Sequence, residues 1–201
     1  FFMSIVSASN HWLFVSSNGA LTAGRKNSEH AILPYYTDDK ITEGSETTGS
    51  KTIFLVTKDE QTFLWEPQSD LYKGVYDIQR NLYKNKLGNK VLFEEINRDL
   101  GLIYSIEWTT SDVFGFIRKS VLKNTDSTRV GIRFIDGLQN VLPYGVGEWQ
   151  QMAMSNLVDA YKKAELEPDS KIGIYALSSV IVDRAEPSEA LKSNVVWSLG
   201  R

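Results

Sequence analysis

The sequence predicts a mainly β protein, an antiparallel β-sandwich with one helix inserted around residues 148–164. Two segments, 102–108 and 130–134, alternate apolar and other residues, which is typical of strands with one buried face. Further segments are rich in β-branched and aromatic residues and are separated by short polar breaks: 53–57, 62–65, 75–83, 91–96, 114–122 and 171–182. Strands at this spacing favour antiparallel hairpins over β-α-β units.

One segment has the periodicity of a helix. From Glu148 to Ala164 the apolar positions include Trp149, Ala153 and Leu157, which recur every four residues and share one helix face. Glu148 is favourably placed near the positive end of the helix dipole, and Pro168 helps to end the helix. We therefore expect one substantial helix in an otherwise β protein.

The connections follow from turn-forming and polar residues. Asn18-Gly19 supplies the positive φ angles that a tight hairpin needs. The polar stretches 23–50 and 183–193 are expected to be mostly loop.

Composition excludes several classes of function. The 22 Lys and Arg against 25 Asp and Glu give a net charge of −3, which argues against nucleic-acid binding through a basic face. No apolar run approaches the length of a membrane-spanning helix, so no membrane partner is expected. The absence of cysteine excludes disulfides, iron–sulfur clusters and thiolate chemistry. His11 and His30 lack the spacing of metal ligands, so we predict no metal site and no cofactor.

Strand-like patterns at both ends bear on the domain organisation. They occur at residues 1–6 and 195–199. We expect residues 1–201 to form a single β-sandwich domain that is the N-terminal part of a larger enzyme. The alternative is a complete small protein with an unusual processed start.

The first candidate site is the polar segment 33–41. It places Tyr35 and Tyr36 beside Asp38 and Asp39, which could hydrogen-bond sugar hydroxyls or hold a hard cation. Adjacent aspartates point in different directions, so they make a poor acid–base pair. The alternative is a structural loop whose tyrosines pack on the sandwich and whose aspartates cap turns.

The second candidate site is the segment 136–147, which connects a predicted strand to the predicted helix. The side chains of Gln139 and Asn140 each offer donors and an acceptor, a combination that suits vicinal hydroxyls. The alternative interpretation is a structural crossing from sheet to helix.

The third candidate site lies near the start of the chain. Trp12 follows His11 and could stack on the apolar face of a sugar ring, with Arg25 in the segment after the predicted hairpin. The alternative is that Trp12 belongs to the core. The sequence contains no G-x-S-x-G nucleophile elbow and no phosphate-binding G-x-x-x-x-G-K-[ST] loop.

Several of these segments together carry a family resemblance. An alternating strand is followed by a second strand that ends in Leu122-Lys123-Asn124-Thr125 and by a third strand with Arg129. The segments concerned are 101–108, 115–124, 129–134 and 136–138, together with 10–15, Gly24-Arg25 and 34–41 near the start. This pattern resembles the N-terminal β-sandwich of the cellobiose-phosphorylase-like enzymes, which are inverting phosphorylases and related glycoside hydrolases.

The resemblance implies a specific architecture. The sandwich would be a galactose-mutarotase-like supersandwich that packs on an (α/α)6 barrel through a helical linker. In that family the barrel carries the catalytic acid, and only one helix is predicted here, so the chain alone is not expected to catalyse. The implied partners are a saccharide, the downstream catalytic domain and a second copy in a homodimer. The helix that starts at Glu148 has no counterpart in the family pattern.

Three functions follow from these observations. The first is a non-catalytic sandwich domain of a carbohydrate-active enzyme, with Tyr35, Asp38, Asp39, Gln139 and Asn140 near a saccharide or the barrel. The second is a free-standing carbohydrate-binding module that stacks a sugar on Trp12, Tyr35 and Tyr36. The third is a small epimerase-type enzyme, in which His11 or His30 would move a proton. The sequence leaves the sugar and the cellular location open.

Overall fold

The computed structural model describes residues 2–35, 40–182 and 188–200. Two short α-helices, α1 (Glu148–Ala153) and α2 (Ser155–Tyr161), are present in these ranges. The strands are β1 (Phe2–Ile5), β2 (His11–Ser16), β3 (Leu21–Arg25), β4 (Ala31–Leu33), β5 (Gly49–Lys58), β6 (Gln61–Trp65), β7 (Ile78–Lys84), β8 (Lys90–Asn97), β9 (Leu102–Ser111), β10 (Gly115–Asn124), β11 (Gly131–Gln139), β12 (Lys162–Leu166), β13 (Gly173–Leu177) and β14 (Asn194–Val196).

The strands form antiparallel sheets. Their orders are β1-β2-β3-β4, β10-β9-β8-β7, β11-β5-β6 and β12-β13-β14. The prediction of a mainly β, antiparallel, sandwich-like fold is therefore confirmed, while the galactose-mutarotase-like arrangement remains a prediction. In the ranges given above, no helix is long and apolar enough to cross a membrane.

Alternation of side chains explains the central strands. In β9, the side chains of Leu102, Tyr104, Ile106 and Trp108 are all buried, and the residues between them are partly exposed. This is the predicted period of two, in which successive side chains point to opposite faces of a sheet. The same alternation in β8 buries every second residue from Val91.

The main core lies between the sheets β1-β2-β3-β4, β10-β9-β8-β7 and β11-β5-β6. It combines buried side chains from β2 and β3, from β5 and β6, and from β8 and β9. Leu13, Val56 and Val91 are among its fully buried members. Because burying each such side chain contributes about 1.5–3 kcal/mol, contacts between the sheets dominate the stability of this part of the chain. A smaller cluster around Val146 and Val158 packs α2 against β13.

The predicted single helix at 148–164 is wrong in extent. Met154 has φ −134° and ψ 29°, which breaks the segment into α1 and α2. Residues from Lys162 onward instead pair with β13, opposite Leu177. The helical period is a local signal, and the hairpin that residues 162–166 form with β13 after a connection of six residues overrides it. The Gly147 amide donates to Gln150 Oε1 at 2.8 Å and satisfies one free donor at the start of α1.

Three further expectations need correction. The stretch 23–50 is not mostly loop, since it contains the end of β3, all of β4, two 3-10 turns and the start of β5. The predicted strand at 130–134 was expected to bury the face that carries Phe134. Phe134 is instead 66% exposed, because β11 lies at a sheet edge. The hairpin after β2 is present, but only Gly19 has a positive φ, 86°. The Asn18 side chain instead accepts a hydrogen bond from the Ala20 amide at 3.2 Å.

Candidate functional site

A groove of about 490 Å³ lies beside the end of β6, against β7 and β8. The segment 66–77, which connects β6 to β7, forms much of its wall. The volume is in the range of sites that bind small molecules. The residues that determine its chemistry are Trp65, Asp70, Tyr72, Tyr76, Arg80 and Glu95.

A buried carboxylate forms the floor of the groove. Glu95 is 1% exposed. Its Oε1 accepts a hydrogen bond from Trp65 Nε1 at 2.8 Å, and its Oε2 accepts from the Gln68 amide at 2.7 Å and from Arg80 Nε at 2.9 Å. A buried charge is stable only when it is paired and hydrogen-bonded, and these three donors meet that requirement. Glu95 therefore fixes both the indole and the start of the connecting segment.

Arg80 links this floor to the rim. It lies directly opposite Glu95 in the β7–β8 ladder. Its remaining nitrogens donate to Asp70 Oδ1 and to the Ser69 carbonyl, each at 2.5 Å. Burial by itself lowers the pKa of Arg80, but the hydrogen bonds with Asp70 and Glu95 outweigh it and raise the pKa above its ordinary value. The guanidinium therefore holds the rim in one position while it remains charged.

A second ionic cluster anchors the same segment. Lys51 forms ion pairs with Glu46 and Glu66. Burial lowers the pKa of Lys51, but the hydrogen bonds to the two glutamates outweigh it and raise the pKa overall. Glu46 also accepts hydrogen bonds from Ser69 Oγ at 3.0 Å and from the Asp70 amide at 2.8 Å. The wall of the groove is thereby tied to β5 as well as to β8.

The aromatic residues of the groove have different roles. Trp65 is 2% exposed and packs on Phe54, with ring centroids 5.3 Å apart. The Tyr76 hydroxyl donates to the Leu64 carbonyl at 2.6 Å, and burial together with the charge of Asp99 raises its pKa. Tyr72 is 41% exposed, so it is the ring that can offer a face to a ligand.

This arrangement suits binding better than proton transfer. The Glu95 carboxylate is out of reach of a ligand because three protein donors already surround it. Asp70 is accessible, with its side chain 60% exposed, and it can accept hydrogen bonds from a polar ligand beside the ring of Tyr72.

The sequence-predicted residues Trp12 and Tyr35 are in contact with each other, away from the groove. Their ring centroids are 5.8 Å apart in an edge-to-face arrangement. Trp12 also stacks on Phe14 and donates its indole proton to the Asn27 carbonyl at 3.2 Å. Arg25 is exposed at the end of β3, opposite His11. Tyr36, Asp38 and Asp39 lie outside the described residues.

Gln139 and Asn140 are brought together in a different place. Gln139 Nε2 donates to the Glu46 carbonyl at 2.8 Å, and Asn140 Nδ2 donates to Thr48 Oγ1 at 3.2 Å. Asn140 has φ 58°, a left-handed conformation that asparagine tolerates. Both amides thus hold the turn before β5, and neither lines the groove.

The two histidines have polar, uncharged partners. His11 Nδ1 lies 2.9 Å from Ser9 Oγ, and His30 Nδ1 lies 2.7 Å from Asn27 Oδ1. Burial and the nearby charge of Arg25 lower the pKa of His11. Across the described ranges, neither histidine forms an ion pair with a carboxylate, and no three His, Asp or Glu side chains are grouped as a metal site.

One feature of the groove can be identified from the sequence. The alternation of β8 puts Glu95 and Asn97 on the same face as Val91 and Phe93. A carboxylate on an apolar face requires buried hydrogen-bond donors. The position of Glu95 on this face is the signal that the sequence analysis missed. The partners Trp65 and Arg80 could not be identified from local spacing.

No protein-family model matches the chain, and a search of curated proteins found no match. The resemblance to the cellobiose-phosphorylase-like sandwich therefore rests on the sequence segments given above.

Proposed function

We propose that the chain is a non-catalytic β-sandwich domain of a carbohydrate-active enzyme and that it contacts saccharide through the groove between β6, β7 and β8. One observation carries this proposal. The exposed ring of Tyr72 and the accessible carboxylate of Asp70 lie at one rim, which Arg80 and the buried Glu95 hold in place.

The chemistry of the rim matches that of a sugar. A pyranose ring has apolar C–H faces that pack on an aromatic ring, and hydroxyls that bond to carboxylates and amides. Tyr72 supplies the ring and Asp70 supplies the acceptor. Because Asp70 and its amide are already fixed by Arg80 and Glu46, little conformational entropy is lost on binding.

A non-catalytic role fits the charges of the groove. General acid–base catalysis needs a group that can exchange a proton with the ligand. The Glu95 carboxylate is saturated by its three donors, and the Asp70 carboxylate accepts from the Arg80 guanidinium. In the cellobiose-phosphorylase-like enzymes, which the sequence resembles, such a sandwich supports a catalytic barrel. We propose the same supporting role for this domain.

The test is a titration of the isotope-labelled chain with glucose, galactose, cellobiose and lactose, followed by backbone amide NMR. We expect at least one sugar to shift the amides of residues 66–77 while those around Trp12 stay unchanged. Shifts centred on Trp12 and Tyr35 would instead support the binding-module alternative. No shift with any of these sugars and their oligomers would overturn the proposed saccharide contact.

A further inference from the structure

The charges around the groove between β6, β7 and β8 are not balanced. Two cations anchor its wall, and each of them is shared by two carboxylates. The two trios are Lys51 with Glu46 and Glu66, and Arg80 with Asp70 and Glu95. When all groups are ionised, each trio keeps one excess negative charge. The wall therefore presents a surplus of negative charge to a molecule that enters the groove.

This surplus is accessible to a ligand at Asp70. Glu66 and Glu95 are buried, so the protein shields their carboxylates. The Asp70 side chain is mostly exposed and lines the groove. Its Oδ1 accepts a hydrogen bond from Arg80, while its Oδ2 has no hydrogen-bond donor among the described residues. An ammonium group can therefore donate to Oδ2, and such a charge-assisted hydrogen bond is about twice as strong as one between neutral groups.

Tyr72 places an aromatic ring at the same rim. The Lys73 amide donates to the Asp70 carbonyl at 3.2 Å and closes the turn that carries both Asp70 and Tyr72. In the part of the chain that the structure describes, the cation that lies over an aromatic ring is Lys192, over Tyr144, so the Tyr72 ring has no cation of its own. The face of a tyrosine ring attracts a cation within about 6 Å. The ring and the carboxylate therefore favour the same positive group.

Lys73 lines the same groove and opposes a positive ligand. It is exposed and, within the described ranges, forms no ion pair. Its ammonium group can extend into solvent, where water and salt screen its charge. When Lys73 is counted with the two trios, four carboxylates still face three cations. The balance of the groove thus remains negative.

We propose that the groove selects sugars that carry a protonated amine, such as 2-amino-2-deoxyhexoses, over neutral sugars of the same shape. This selectivity rests on the proposed saccharide contact and adds the class of sugar to it. The apolar face of the sugar packs on Tyr72, and its ammonium group donates to Asp70 Oδ2. An N-acetylated sugar has no charge at this position and loses the advantage.

The test is a titration of the isotope-labelled chain at about pH 6, where a primary amine is protonated, with affinities taken from the amides of 66–77. We expect glucosamine to bind at least about tenfold more tightly than glucose, and N-acetylglucosamine to bind like glucose. Ethanolamine supplies an ammonium group without a sugar ring and should bind much more weakly than glucosamine. Equal binding of ethanolamine and glucosamine would mean that the site recognises any ammonium group, which overturns the proposal.

Two variants of the rim should change the preference in opposite directions. Asp70→Asn keeps a hydrogen-bond acceptor but removes the charge, so glucosamine should bind about as well as glucose, with the glucose affinity changed less than about threefold. Lys73→Gln removes a repelling charge and should strengthen the preference for glucosamine. The matched control is Asp126→Asn, since Asp126 also pairs with a cation, Lys58, but does not line the groove. This control should keep the wild-type preference.

The outcomes distinguish this selectivity from the saccharide contact itself. If the wild type binds glucosamine and glucose equally, the preference for an amine is overturned and the saccharide contact stands. A preference for glucosamine that survives in Asp70→Asn overturns the assignment of the charge to Asp70. If none of the three sugars shifts the amides of 66–77, the saccharide contact fails and the selectivity fails with it.

Discussion

Arg80 Nε donates to Glu95 Oε2 at 2.9 Å, and the two residues stand directly opposite each other in the β7–β8 ladder. Glu95 is buried beside Trp65, while Arg80 reaches the rim at Asp70. One cross-strand pair thus connects the core to the wall of the groove. The shape of the candidate site therefore depends on a charge that is buried in the sheet.

We expect Glu95→Gln to lower the free energy of unfolding by about 2 kcal/mol, because it removes one partner of an ion pair and leaves Arg80 without its buried carboxylate. The loss is smaller than for a fully buried pair, since the Arg80 side chain is 35% exposed. Chemical denaturation measures it. The control is Glu94→Gln, on the opposite face of the same strand, which should change stability by less than about 0.5 kcal/mol. Equal losses in the two variants would contradict the role given to Glu95.

Gly24 allows the close packing of Trp12. A Cβ atom at position 24 would overlap the Trp12 ring and lie 2.7 Å from the His30 carbonyl oxygen. We expect Gly24→Ala to destabilise the protein by about 2 kcal/mol, because the backbone at His30 cannot move freely away from the added methyl group. Gly137→Ala is the matched control on β11, where the added methyl group meets no atom within 4 Å. Thermal unfolding of both variants measures the effect. A Gly24→Ala protein as stable as the control would contradict this expectation, because it would mean that the Trp12 ring moves aside at little cost.

The ion pair of Asp136 with Arg118 predicts a dependence on pH. Burial raises the pKa of Asp136, but hydrogen bonds from Arg118 and Thr52 outweigh it, so the pKa is below its ordinary value. A lowered carboxyl pKa stabilises the fold above the unfolded pKa of about 3.9 and ceases to do so as the pH falls through the folded pKa. Asp136→Asn should therefore be less stable than the wild type at pH 7, by about 2–3 kcal/mol.

The difference between the wild type and Asp136→Asn should shrink as the pH is lowered below about 4, because the wild-type carboxyl is then protonated and becomes neutral, as the Asn side chain already is. Denaturation at pH 7 and pH 3 measures both differences. A gap that stays constant between these two pH values would mean that ionisation of Asp136 does not stabilise the fold.

Local periodicity predicted the strands whose side chains alternate between core and surface. β8 and β9 follow this pattern, because every second side chain points into the main core. The same reasoning failed at Lys162, where pairing with β13 replaces the end of the predicted helix. A helical period within one segment does not show that the segment will pair with a following strand.

The candidate site was harder to predict for the same reason. The groove combines Trp65, Arg80 and Glu95 from three strands. The register of β7 and β8 places Arg80 opposite Glu95, and Trp65 reaches Glu95 from β6 of a different sheet. The amides of Gln139 and Asn140 were recognised as hydrogen-bonding groups, yet they bond to the turn at 46–48. Residue chemistry was thus easier to predict than the partners that each residue finds.

The most direct test of the central claim compares the saccharide affinity of two tyrosine variants. Tyr72 at the groove is 41% exposed, and Tyr83, which does not line the groove, is 50% exposed. The sugar that shifts the amides of 66–77 most strongly is titrated calorimetrically into the wild type, Tyr72→Ala and Tyr83→Ala. We expect Tyr72→Ala to bind at least about tenfold more weakly and Tyr83→Ala to bind like the wild type. Equal affinity of all three proteins, or no binding by the wild type, would contradict the assignment of the groove as a saccharide site.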